Sequence, residues 1–446
     1  MKKYISMLSA VVALVFLTAT PGCPAPPPKP NVVVIMVDDM PPAAIFHMPA
    51  VSSLRQEGVT FTNAITPLNS CEPSRASFFT GKQYPVPTGT SNWDVVTDYD
   101  DQNTIWTWLK AKGYTTGLFG KFFQNYTVVA PYVPPGIDEF VVMRLADYFD
   151  IPVVRNGVQE QLPPGVYSTD FFGNEAVQFI QDHAQDTDPF FVMFTPYGPH
   201  ITLPDFLPIP APRHEGLYQN YPPYRPIAWN EEDMSDKPKL VNMPYADTDQ
   251  LFADTLETVQ SVNEVIAQIM ATLEAEGVAD NTIVVFVSDN GYATGQHRWT
   301  SKFLPYNASI STPMVVSYPF KTSGCYPSGC VDTGLIAMGT DLNATIVDLL
   351  NLSPTTTQDG LSFKKRVSSS VKGNPPVREH IQIGPEFYPW GYVGVRTDEW
   401  AYYVWQTGEE ELYDLQADPA QMEGAIANDP DYDAIKAELG ALLPSF

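Results

Sequence analysis

The sequence predicts an α/β protein, a mixed and mostly parallel sheet flanked by helices, followed by a small C-terminal α+β domain. Two apolar runs, 31–37 (NVVVIMV) and 282–287 (TIVVFV), are too continuous for strands with one wet face. Along the middle of the chain such runs alternate with amphipathic stretches of helical length, the pattern of a sheet covered on both sides. Beyond about residue 370 the pattern changes to short aromatic and β-branched runs, 391–396 and 400–405, before an acidic, Ala/Leu-rich tail of helical character.

The elements follow in order. A helix is expected over 48–57, a second over 104–111 ending near Gly113, and a strand over 114–119. A helix over 171–183 precedes a strand over 189–195. A long helix over 251–273 leads past Gly277 into the strand at 282. Between residues 200 and 245 lies a Pro-rich stretch dense in Tyr, Trp and Phe (LPDFLPIPAPRHEGLYQNYPPYRPIAW). A loop of that length inside a domain is usually functional, and its aromatic content predicts an ordered loop on the substrate side.

The chain has 446 residues, enough for one large domain and a smaller one. Residues 1–22 read as a signal peptide: Lys2 and Lys3, then an apolar run over 5–19 that is short for a membrane span. A Pro-rich linker over 23–30 follows, then a catalytic domain over 31–370 and a small domain over 371–446. An exported protein is expected, periplasmic or secreted. Gly22-Cys23 leaves open a lipoprotein, although Thr20 replaces the usual leucine-like residue, and a lipid on Cys23 would be the only membrane contact. In an exported chain Cys325 and Cys330 are expected to pair as a disulfide.

The net charge of −26, from 51 acidic against 25 basic side chains, excludes general affinity for nucleic acid. It also opposes long-range attraction of a polyanion, so an anionic substrate must be held by a few local cations.

Both buried runs end in oxygen ligands, Asp38-Asp39 and Asp289-Asn290. Ligands gather beyond the carboxyl ends of strands in open α/β sheets, and four hard oxygens suit Ca²⁺ or Mg²⁺. Either pair alone reads as a turn at a strand end. The two together with Cys71-Glu72-Pro73-Ser74-Arg75, continued by ASFFTG, do not. Pro73 fits a first helical turn and Gly81 a helix end, which sets Cys71 at the positive N-terminus with Arg75 one turn on.

CEPSRASFFTG resembles the signature of the type I, formylglycine-dependent sulfatases, in which a formylglycine-generating enzyme oxidises the cysteine. The likeness runs through GYTTGLFGKFFQNY, matching a sulfate-binding lysine at Lys121, and GPH, matching an active-site histidine at His200. It continues in SDNGYATGQHRWTSK, which contributes Asp289, Asn290, His297 and Lys302, and in VRTDEWAYYVW and EELYDLQADP. NYTVVAPYVPPGIDEF and WNEEDMSDKP resemble the N-acetylglucosamine-6-sulfatase branch and its heparan 6-sulfatase relatives.

The resemblance implies an alkaline-phosphatase-like fold and hydrolysis of a sulfate ester on a sulfated small molecule or glycan such as 6-sulfated N-acetylglucosamine. It also implies Ca²⁺, or Mg²⁺, held by Asp38, Asp39, Asp289 and Asn290 with the residue made from Cys71. One hydroxyl of the hydrated aldehyde attacks sulfur, and the second lets the resulting ester break down. Arg75, Lys121 and Lys302 hold sulfate oxygens. His200 protonates the leaving alcohol and His297 serves as a base or holds the sulfate, or the two exchange these roles. His47, His183, His214 and His380 are left as structural. The sequence departs from the family at Phe123, where many members carry histidine. It departs from the narrower branch at Gln124, in place of asparagine, and has Asn307 where the family has glutamate. Two alternatives remain: a phosphate or phosphonate monoester hydrolase of the same superfamily, and a non-catalytic lipoprotein that binds sulfated glycan.

Overall fold

In the computed structural model, which describes residues 28–83, 95–322, 324–367, 377–386 and 391–445, the two Val/Ile runs lie side by side. Asn31–Val37 pairs in parallel with Thr282–Ser288, from Asn31 opposite Thr282 to Val37 opposite Ser288. Its other edge pairs in parallel with Phe190–Thr195. Every residue of these three strands is buried, which is why their sequences do not alternate.

They sit in the middle of a ten-stranded sheet. Its order is Cys330–Asp332, Val59–Phe61, Met314–Ser317, Thr282–Ser288, Asn31–Val37, Phe190–Thr195, Thr115–Gly120, Glu139–Met143, Pro152–Arg155, Val158–Gln161. Met314–Ser317 runs antiparallel to both its neighbours, as do the last two strands to theirs, and the remaining pairs are parallel.

Alternate side chains of the central strand feed two cores. Val32, Val34 and Met36 pack with Phe78, Phe79, Trp106, Leu342 and Ile346, from the helices Cys71–Thr80, Ile105–Ala111 and Met338–Leu350. Val33, Ile35 and Val37 pack with Leu54, Phe179, Val262 and Ile269, from Pro49–Glu57, Ser168–His183 and Asp249–Ala275.

The antiparallel strands Ile381–Glu386, Tyr392–Arg396, Trp400–Trp405 and Glu410–Asp414 form a separate sheet. Ile383, Tyr403 and Tyr413 pack against Trp299, Leu304 and Tyr306, while Val395, Tyr402 and Leu412 pack with Leu439 of the helix Asp433–Gly440. Cys325 and Cys330 form the expected disulfide. The signal peptide over 1–22, Cys23 and the domain boundary at 370/371 lie outside the described residues. Among the described residues no helix is long and apolar enough to cross a membrane.

Candidate active site

The carboxyl ends of the central strands converge on the start of the helix Cys71–Thr80. All ten of its residues are buried, and Gly81 ends it in the left-handed conformation at φ 69°. Cys71 is the first residue of this helix. Its Sγ lies 3.4 Å from Asp38 Oδ1 and 3.8 Å from Asp39 Oδ1. Lys302 Nζ stands 2.6 Å from both Asp39 Oδ1 and Cys71 Sγ. Asp39 leaves its strand at φ 57°, a conformation uncommon for a residue with a Cβ and a mark of functional sites.

Lys121 enters from the end of Thr115–Gly120. Gly120 turns there at φ 126°, so close to the neighbouring strand that a Cβ would stand 2.0 Å from Thr195 O. The amide of Lys121 donates to the same carbonyl at 2.7 Å, and its Nζ donates to Asp38 Oδ2. Arg75, fully buried, turns toward Asp289 and not toward Cys71. Its Nε donates to Asp289 Oδ2 at 2.9 Å and its Nη1 to Lys121 O at 2.7 Å, while Nη2 has no partner among the described residues. His200 places Nε2 3.3 Å from Asp39 Oδ2 and Nδ1 2.6 Å from Ile201 O, its ring stacked on Tyr197.

The electrostatics follow from this crowding. Burial opposes the charge on Asp38, but Lys121, His200, Arg75 and Lys302 outweigh it and hold the carboxyl below its usual range. Asp39 is held down in the same way, chiefly by Lys302 against burial. Burial and the neighbouring Asp38 push Asp289 up to about 7. Burial, reinforced by Asp38, pushes the Cys71 thiol well up, so it is a poor nucleophile as a thiol. Burial lowers His200 against the pull of Asp39 and Asp38.

This set fits a divalent cation. Ligand atoms of Asp38, Asp39, Cys71 and His200 lie within 4.8 Å of one another. Asn290 donates Nδ2 to Asp39 Oδ1 at 2.7 Å, and its Oδ1 is buried without a partner among the described residues. An unsatisfied buried amide oxygen beside like-charged carboxylates is what a hard cation relieves.

A cavity of about 500 Å³ opens above Asp39, Cys71, His200 and Lys302. Ile201, Phe206 and Met243 from the long Pro-rich stretch, with Trp299 and Phe303, make its apolar wall, in keeping with the substrate-side position expected for that loop. Nine of the ten candidate residues therefore meet at one place. His297 does not. Its Nδ1 lies 2.6 Å from Glu231 Oε2, its ring packs on Tyr306, and it lines a separate cavity of about 250 Å³ with Tyr224 and Gln421.

The departures divide similarly. Phe123 is buried among Phe79, Tyr99 and Phe122, and Asn307 bonds Arg396 and Pro419 O away from Cys71. Gln124 lines the cavity. His183 and His214 meet acidic partners elsewhere, Asp186 and Glu139 for the first and Glu264 for the second. Glu72 and Glu231 escaped sequence reasoning, because both are acidic yet almost fully buried. A charged residue within an otherwise small and apolar helix start is the signal that points to Glu72.

A mixed sheet between helices, with acidic strand ends under a pocket, is the alkaline-phosphatase-like fold. A phosphonate monoester hydrolase of Agrobacterium radiobacter superposes with a TM-score of 0.71 at 19% identity, covering 93% of this chain and 94% of its own. The family described as Sulfatase matches residues 30–355, and the chain belongs to it. It is a sulfuric ester hydrolase. The family described as N-sulphoglucosamine sulphohydrolase, C-terminal, matches residues 295–445. The chain is 27% identical to an arylsulfatase of Volvox carteri, over 88% of this chain and 71% of that protein. It is 25% identical to an N-acetylglucosamine-6-O-sulfatase of Bacteroides thetaiotaomicron, over 93% and 86%. A structure solved with its substrate D-glucosamine-2-N,6-O-disulfate superposes with a TM-score of 0.76 at 23% identity, covering 93% of this chain and 96% of that one.

Proposed function

We propose that this sulfuric ester hydrolase acts on a sulfated carbohydrate, with 6-sulfated N-acetylglucosamine the first substrate to test. It does so through a formylglycine made from Cys71 by a formylglycine-generating enzyme, and through Ca²⁺, or Mg²⁺, held by Asp38, Asp39, Asp289 and Asn290. The observation that carries the reading is the position of Cys71, first residue of a buried helix, within reach of Asp38, Asp39 and Lys302 and facing the cavity.

Once hydrated, the aldehyde would supply a hydroxyl nucleophile in place of the buried thiol, and the cation would supply positive charge against the sulfate. The chain's own residues do the rest. Lys302 bridges Asp39 and the Cys71 side chain, so its ammonium lies where sulfate oxygens gather charge. Lys121 and Arg75 fix Asp38 and Asp289. His200 donates Nδ1–H to Ile201 O, which leaves Nε2 as the atom that exchanges a proton with the leaving alcohol. The carbohydrate reading is supported by the N-acetylglucosamine-6-sulfatase relatives, which include one of Capra hircus at 27% identity over 75% of this chain and 63% of that protein. The basic, apolar and Pro-rich start of the sequence supports export, either free or held by a lipid on Cys23.

The test is sulfate release from 6-sulfated N-acetylglucosamine by calcium-loaded protein whose Cys71 aldehyde is verified by mass, beside an aryl sulfate and an aryl phosphate. Release from the sugar that vanishes in Cys71→Ala is the expected result. Turnover of the aryl sulfate alone discards the sugar, and turnover of the phosphate alone discards the chemistry.

A further inference from the structure

The strand Phe190–Thr195 runs into Pro196-Tyr197-Gly198-Pro199-His200, where a proline on either side restricts the backbone around Tyr197. The amide of His200 donates to Tyr197 O at 2.9 Å, and this turn folds the imidazole back over the phenol ring. The two rings stack with centroids 4.8 Å apart and planes 25° from parallel. Tyr197 Oη donates to Ile201 O at 2.9 Å, and the same carbonyl accepts His200 Nδ1–H at 2.6 Å. Tyr148 is fully buried, its ring centroid 5.1 Å from that of Tyr197, and its Oη donates to His200 O at 2.6 Å. The imidazole is thus held by its face, by one ring nitrogen and by its own carbonyl. Nε2 is left directed into the site, 3.3 Å from Asp39 Oδ2. His200 and Ile201 line the cavity, and Tyr197, 4% exposed, reaches a substrate only through them.

We propose that Tyr197 is a positioning residue for proton transfer to the leaving group, its ring face fixing the plane of His200 so that Nε2 meets the ester oxygen. The proposal rests on the reading of His200 as the group that protonates the leaving alcohol. In that step the Nε2 proton passes to the ester oxygen as the bond from that oxygen to sulfur breaks and its electron pair stays on oxygen. Hydrogen bonds weaken steeply as they bend, and a small misplacement of a reacting group is costly. The Ile201 carbonyl fixes one nitrogen, and a flat neighbour fixes the plane. The effect depends on the ester. A sugar alkoxide is a far stronger base than a nitrophenolate, so its departure needs the proton much more. Misplacing His200 therefore costs turnover of the sugar ester and largely spares the aryl ester. A merely structural tyrosine costs both alike.

The test uses the full chain with its Cys71 aldehyde quantified by mass. The readout is kcat/KM on 6-sulfated N-acetylglucosamine divided by kcat/KM on nitrophenyl sulfate. His200→Asn sets the reference and is expected to lower this ratio by about 10²-fold or more. Tyr197→Met, which keeps bulk but removes the flat face, is expected to lower it about tenfold, with Tyr197→Leu in its place should it not fold. Tyr197→Phe keeps the face and should stay within about threefold of the wild type. Added to His200→Asn, Tyr197→Met should lower the ratio no further, because it acts through the ring. Proton NMR gives a readout independent of turnover: the downfield Nδ1–H signal of His200, assigned by its loss in His200→Asn. That signal should survive in Tyr197→Phe and broaden or vanish in Tyr197→Met. Equal losses on both esters in Tyr197→Met, an equal fall of the ratio in Tyr197→Phe, or an unchanged signal overturns the proposal. If His200→Asn itself lowers both esters equally, the reading of His200 falls instead. A wild type inert on both esters overturns the sulfate chemistry, and the signal then decides whether Tyr197 holds the ring.

Discussion

Asn290 donates Nδ2 to Asp39 Oδ1 at 2.7 Å and to Gly291 O at 2.9 Å, while its own Oδ1 is buried and unpaired among the described residues. Removing that oxygen is expected to weaken cation binding. In Asn290→Ala stripped with a chelator, calorimetric titration should give a Ca²⁺ affinity lower by about 10- to 100-fold than the wild type. The rise in Tm on adding Ca²⁺ should shrink with it, because a ligand of the native state stabilises by RT ln(1 + [L]/Kd), which falls as Kd rises. Equal affinity in the two proteins would remove Asn290 from the ligand set.

Cys71→Ala and Cys71→Ser are each expected to lower turnover by at least about 10⁴-fold, the scale on which losing a nucleophile acts. Wild-type protein produced without a formylglycine-generating enzyme should be as inactive, since burial keeps its thiol protonated. Turnover by protein that mass spectrometry shows to carry only the thiol would contradict the maturation step.

Much of this arrangement is legible in the sequence because burial on two faces leaves a direct trace. Asn31–Val37 and Thr282–Ser288 have no polar interruption until the residues that form the site, and Pro73 and Gly81 mark both ends of the helix carrying Cys71. Short strands leave no such trace. Val59–Phe61, Met314–Ser317 and Cys330–Asp332 have three or four residues each, too few for a period, and their places depend on partners far along the chain. The helix predicted from 171 starts at Ser168, whose polar side chain is buried despite its type. His200 reaches Asp39 across the fold, so no local spacing indicates that it belongs with Asp38, Asp39 and Cys71.

The C-terminal sheet contains a titrating group well away from Cys71. Glu411 is fully buried and accepts bonds from Tyr306 Oη, Trp405 Nε1 and Tyr413 Oη. Burial outweighs those donors and pushes it from the ordinary 4.5 up to about 7. Between those pH values the native protein keeps a proton that the unfolded chain releases, so stability falls as pH rises through the window. The size is up to about 3 kcal/mol. Urea unfolding from pH 4.5 to 7 should show that decline in the wild type and a flatter profile in Glu411→Gln. Parallel profiles would mean that the carboxyl is ionised throughout.

His297 separates a structural role from a catalytic one. Its Nδ1 contacts Glu231 Oε2 at 2.6 Å, and Glu231 Oε1 lies 3.2 Å from Lys237 Nζ, which also donates to Asp236 and Met422 O. This buried chain joins the segment after Asn290 to the Pro-rich loop and, through Met422, to the region beyond the C-terminal sheet. Removing one partner of the buried Glu231–Lys237 pair typically costs about 3–5 kcal/mol because the other charge is stranded, and taking a hydrogen-bond partner from a buried carboxyl costs about 1–3 kcal/mol. Glu231→Gln and His297→Asn are therefore expected to lower unfolding free energy by amounts of those two orders respectively. The pH profile of kcat/KM should keep its shape, since His297 faces the second cavity and not Cys71. If His297 instead acts as the base, His297→Asn removes one limb of the profile while stability changes little. Measuring both quantities on the same preparations decides between the two, because neither role produces the other's combination.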